Sequence, residues 1–164
     1  MKSVARKIST GLILAIFSFA LVGCGGSDEA DEILNYVNVD LVPILEKETT
    51  MIEAYESVSG ENYSDDQTMY DTITGVVLPA STELVELSEK LTFTSEDLKS
   101  VHNIYISLVT TQLEAFTMVV EALEKQDADM ITEANGLLEK TRELADEYGV
   151  KMQELLDTHG IEVE

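Results

Sequence analysis

Few side chains in this 164-residue sequence are of types that do metal, covalent or acid–base chemistry out of proportion to their number: one cysteine, Cys24, and two histidines, His102 and His159. Neither histidine stands in a ligand pattern. A carboxylate-bridged di-metal bundle needs inward glutamates and a Glu three residues before a His on each of two helices. Here Lys99 precedes His102 and Leu156 precedes His159. Asp127-Ala128-Asp129 opens like a calcium loop, but Ile131 occupies the third ligand position and the sixth residue is not glycine. One cysteine cannot supply a Cys-x-x-Cys-His haem attachment or a Cys-based zinc site. The glycine-flanked serine of a nucleophile elbow and the Gly-Lys phosphate loop are both missing. The expectation is a non-enzymatic chain with no metal and no bound cofactor. His102, beside Val101 at the edge of an apolar stripe, reads as a satisfied boundary residue, and His159 as a charge partner for a helix C-terminus.

What precedes Cys24 defines its chemistry. Lys2, Arg6 and Lys7 form a positive start, Ile8 to Ser27 carries no charge, and Leu12-Ile13-Leu14-Ala15-Ile16-Phe17 is an apolar heart followed by small residues. This is the layout of a secretory signal. Leu21-Val22-Gly23-Cys24 resembles the lipobox of bacterial lipoproteins at every position of that short motif. The resemblance implies that Leu21, Val22 and Gly23 are read by the lipoprotein signal peptidase, that cleavage follows Gly23, and that the Cys24 thiol carries a diacylglyceryl lipid. It places the rest of the chain on the extracytoplasmic face of a bacterial cell membrane, held by acyl chains that each gain about 0.8 kcal/mol per buried methylene.

The expected organisation is a signal peptide over 1–23, a lipidated N-terminus with a flexible acidic tether over 24–32, a helical domain over 33–160 and a short tail over 161–164. The sequence holds 10 Lys+Arg against 32 Asp+Glu, a formal charge of −22. Loss of residues 1–23 removes three basic side chains and no acidic one, leaving 141 residues at −25. Such a surface excludes a nucleic-acid binder and favours a basic partner.

Four apolar stripes at helical spacing must position everything else. The first includes Leu34, Val37, Leu41, Leu45, Ile52 and Tyr55 and ends at Ser59-Gly60; the second, capped at Ser64, includes Met69, Ile73, Val76, Ala80, Leu84, Leu87 and Leu91. The third follows a cap at Thr94-Ser95 and runs from Leu98 to Leu123. The fourth, capped by Asp127 and Asp129, runs from Ile131 to Leu155 and ends near His159-Gly160. Helices of about thirty residues, roughly 45 Å long, joined by short links predict an all-α, up-down-up-down four-helix bundle. Gln112 and Asn135 fall on the stripes as register-setting amides.

Pro43 and Pro79 lie inside helical patterns and are expected to kink them. Counted from Asn62 in the first connection they come out level, with Thr110, Thr111 and Tyr148 near the same height. Such kinks either shape the bundle or mark a ligand level. The leading functional reading is a tethered helical module that binds another protein of the envelope or secretion machinery. The architecture resembles small helical-bundle lipoproteins of bacteria. The alternative is a receptor for a small molecule or cation, using the bundle interior near the two prolines.

Overall fold

The computed structural model describes Leu21–Val22 and residues 27–163. Gly23 and Cys24, with most of the signal segment, lie outside the described residues. Among the described residues the structure is helical apart from one two-residue antiparallel pairing of β1 (Leu21–Val22) with β2 (Glu162–Val163) and the short connections between helices. Four helical rods carry the fold. The first joins α1 (Asp28–Asn35) to α2 (Leu41–Glu56), the second joins α3 (Asp66–Thr72) to α4 (Leu78–Glu89), the third is α5 (Glu96–Lys125) and the fourth α6 (Ala128–Thr158).

Local chemistry explains most rod ends. Ser95 caps α5 by accepting the Leu98 N–H, with Glu96 and Asp97 in the first turn. Asp127 accepts the N–H groups of Asp129 and Met130 to start α6, after Gln126 reverses the chain in the left-handed region at φ 54°. The second cap differs from expectation: Asp65, not Ser64, accepts the Thr68 N–H, because its longer side chain also takes the Thr68 hydroxyl. The second rod is also shorter, since α4 stops at Glu89 and Phe93 in the following connection turns into the core.

The acidic stretch expected as a flexible tether is helical from Asp28. Ser27 caps it, and two of its carboxylates are engaged. Glu32 accepts the N–H groups of Thr94 (2.7 Å) and Ser95 (2.8 Å), while Glu29 accepts the Ser95 hydroxyl. These bonds fasten the start of the first rod to the N-terminus of α5, where the helix dipole favours negative charge. The tail is likewise tied down: Ile161 is buried in the core and Glu162–Val163 forms β2.

Both prolines are absorbed by a π turn just upstream rather than by a simple bend. Tyr36–Asp40 precedes Pro43 and closes with the Leu41 N–H on the Tyr36 carbonyl; Ile73–Val77 precedes Pro79 and closes with the Leu78 N–H on the Ile73 carbonyl. A proline lacks a donor and crowds the carbonyl four residues back, here Val39 and Gly75, so a wider turn at that place relieves the clash. The additional residue in the turn shifts the helical phase by about 100°. That shift corrects the second stripe: Val77 is fully buried, whereas Val76 is 42% exposed.

The core is continuous. α5 contributes Leu98, Val101, Leu108, Ala115, Phe116, Val119 and Leu123 and packs along its length on α6. α5 is long and apolar enough in composition to cross a membrane, but half of its most apolar window is buried within the protein. The first rod packs its backbone on the second, while it meets α5 and α6 largely through long side chains.

Candidate functional site

At that side-chain-filled seam the first, third and fourth rods bring together Tyr36, Glu48, His102, Tyr105 and Tyr148, all buried. The His102 ring nitrogen Nε2 lies 2.8 Å from the Ser88 carbonyl, which can only accept, so Nε2 carries the proton. A neutral ring then accepts at Nδ1, where the Tyr36 hydroxyl stands at 3.0 Å. Tyr36 thereby donates to His102 and accepts from the Tyr148 hydroxyl at 3.1 Å. One carbonyl thus orients a chain of hydrogen bonds running Tyr148 to Tyr36 to His102 to Ser88. Rings enclose it: Phe93 meets Tyr36 edge-on at 5.3 Å and His102 at 5.0 Å, while Tyr105 lies 5.2 Å from Tyr148.

The electrostatics agree with those roles. Burial holds the His102 ring below its usual range, and the Ser88 carbonyl and the charge of Asp40 only partly oppose it. The ring is therefore neutral at pH 7. Burial, aided by neighbouring acidic groups, pushes the Tyr36 and Tyr105 hydroxyls well above the tyrosine range. Burial likewise raises Tyr148, against the pull of its bond with Tyr36. Glu48, from the first rod, is the one carboxyl enclosed at this seam among the described residues. It has no solvent access, its Oε2 accepts a long 3.4 Å contact from the Tyr105 hydroxyl, and its Oε1 has no hydrogen-bond partner. Burial pushes its carboxyl up to about 7.

The residues singled out around the prolines do not share one level. The pairs Tyr36–Phe93 and Lys47–Glu83 set Pro43 opposite the region of Glu86 on the second rod, about two turns or ~11 Å from Pro79. Pro43 falls between Tyr36 and Glu48, so it belongs with Tyr148. The pairs His102–Ser88 and Tyr70–Glu124 set Pro79 opposite Thr111 and Gln112 instead. The count from Asn62 treated the connection as a symmetric hairpin. The first rod stops at Glu56, while the second begins with α3, which packs on α5 rather than on α2.

Thr111 is buried and returns its hydroxyl to the Ser107 carbonyl; Thr110 is exposed and lines a shallow groove of about 380 Å³ with Leu113, Thr117, Met118 and Met130. Of the two register amides, Gln112 is buried with its Oε1 unpartnered and Asn135 is half-buried. His159 approaches Glu29 at 4.0 Å. Among the described residues no group of His, Cys, Asp and Glu is arranged to hold a metal.

Tyr105 and Tyr148 fall within the third and fourth apolar stripes of the sequence, whereas Tyr36, Glu48 and Phe93 are not marked by any of the four. One signal for Glu48 was present: it falls on the same helical face as Leu41, Ile44, Met51 and Tyr55. No protein-family model, curated protein or solved structure matches this chain.

Proposed function

We propose that this protein is a bacterial lipoprotein of the cell membrane, anchored through a diacylglyceryl group on Cys24 and working outside the cytoplasm as a non-enzymatic protein-interaction module. The observation that carries this reading is Leu21-Val22-Gly23-Cys24 at the end of an uncharged segment, with the chain's single cysteine closing the motif. Cleavage after Gly23 would remove β1, so its pairing with Glu162–Val163 would belong to the precursor alone. The lipid would then sit four residues before α1 begins at Asp28. That short spacing would hold one end of the bundle near the bilayer and point the Gly60–Asn62 and Gln126–Asp127 connections away from it.

The helices are read as an up-down-up-down bundle. Support comes from the two-residue link between α5 and α6 and from the opposed running of the Tyr105–Tyr148 and Lys47–Glu83 pairs. Apart from Glu48 Oε1, the polar groups of the seam are directed at one another rather than at an open cleft, which suits a scaffold better than a catalyst. A mature charge of −25 favours a basic partner and a salt-sensitive association rate.

Metabolic labelling with a palmitate analogue tests the anchor: label and membrane retention are expected for the wild type and lost in Cys24→Ala. A Cys24→Ala chain that keeps both would overturn the reading. For the interaction role, partners cross-linked in intact cells should fall away in high salt. Retention of the same partners after Glu→Gln replacement across the exposed faces would count against a charge-guided interface.

A further inference from the structure

We propose that Glu48 is a proton-operated latch in the seam where the first rod meets α5 and α6: its protonated form closes the bundle, and its ionisation loosens that seam. Glu48 is wholly buried, with Oε1 unpartnered and Oε2 in a 3.4 Å contact with the Tyr105 hydroxyl. The groups facing it are tyrosines, Tyr105 from α5 and Tyr148 from α6, the latter bonded to Tyr36 of the first rod, which also carries Glu48. The cations nearby are occupied elsewhere. Lys47 binds Glu83 of the second rod at the surface, and Arg142 of α6 binds Glu139 at 2.6 Å while acting on Tyr55, two turns along α2. A carboxylate here would be a buried charge with no counter-charge, which a protein relieves by binding a proton or by opening to water.

The fold offers a way to open. The first rod touches α5 and α6 chiefly through long side chains, and the π turn with Pro43 interrupts its hydrogen-bond ladder just before Glu48. Because burial raises the carboxyl from 4.5 to about 7, the stability it lends is complete below pH 4.5, weakens as pH rises, and is gone above about pH 7. His102 works in the opposite sense, since burial lowers its affinity for a proton. The link to the pH outside the cell rests on the tethered placement proposed above. The latch itself is tested without it.

The full-length chain in detergent, labelled with ¹³C at glutamate carboxyls, gives the titration of Glu48 directly, assigned by its loss in Glu48→Gln. A midpoint near 7 is expected, together with faster amide exchange in α2 above it. Urea unfolding of both proteins should show the folding equilibrium constant of Glu48→Gln, relative to wild type, rising on the order of fifty- to a hundredfold between pH 5 and pH 8. A midpoint below 5, or a ratio independent of pH, would overturn the proposal. So would a midpoint that moves with sodium or potassium concentration, because a metal cation would then be the neutralising partner. If Glu48→Gln does not fold, the wild-type titration and exchange data decide alone, with the signal assigned by through-bond spectra.

Discussion

The Tyr36 hydroxyl donates a hydrogen bond to Nδ1 of His102 across 3.0 Å, joining the first rod to the third at a buried point. The bond fixes a tautomer, because the opposite nitrogen must donate to Ser88. Nitrogen-15 spectra of the His102 ring at pH 7 are expected to show Nε2 protonated and Nδ1 as a bare acceptor. The reverse pattern would mean that Tyr36 accepts and that the hydrogen-bond chain runs the other way.

Tyr36 stands in the middle of its chain and Tyr148 at one end, so their truncations differ. Tyr36→Phe leaves both a buried ring nitrogen and the Tyr148 hydroxyl without this partner, at a cost of about 2–3 kcal/mol; Tyr148→Phe removes one donor and costs about 1 kcal/mol. The double variant should cost less than the two losses added together. Urea denaturation of the four proteins measures each value.

His102 sets an acid limit on stability. Its proton affinity is lowered by folding, so the unfolded chain binds the proton first and stability falls as pH drops below the ordinary histidine value of 6.5. The loss continues until the folded protein also protonates. In His102→Gln this dependence between pH 6.5 and pH 5 should flatten, as read from unfolding midpoints against pH.

Glu32 holds the start of the first rod against the N-terminus of α5. The Thr94 N–H, with smaller help from Ser95 and the Thr94 hydroxyl, keeps its carboxyl below the usual range, overcoming the opposing effect of burial. Its contribution is therefore present above pH 4.5 and lost as pH falls through its lower folded value. Glu32→Ala is expected to cost about 1 kcal/mol, as loss of a helix cap does, and to speed amide exchange at Thr94 and Ser95.

The π turn before Pro79 makes adjacent valines unequal. Val77→Ala should cost about 1–3 kcal/mol through lost burial and a small cavity, whereas Val76→Ala should stay within about 0.5 kcal/mol. Equal effects would mean that the helix runs through this stretch without the additional residue.

Much of this architecture is legible along the chain. Ser95 and Asp127 announce two helix starts because a short oxygen-bearing side chain before an apolar stripe satisfies orphan N–H groups. Leu98 to Leu123 reads directly as a buried face, since burial follows a period of 3.6 over an uninterrupted helix. Val76 was misplaced because one inserted residue moves everything beyond it to a new face, and the sequence shows the proline but not the turn that accommodates it. The acidic residues of Asp28 to Glu32 suit a first helical turn, but their docking is not legible because the groups that hold them, Thr94 and Ser95, stand more than sixty residues away.

The sequence by itself determined the helical class, two of the helix starts and the charge, because propensity, capping and apolar period act within a few residues. Only the tertiary structure decided the stagger of Pro43 and Pro79, the burial of Glu48 and the assembly of Tyr36, His102 and Tyr148. Those depend on the relative height of separate rods, which is set by packing between distant segments. A charged side chain on an apolar stripe becomes a titrating group near neutrality only when other rods close over it and leave it no counter-charge.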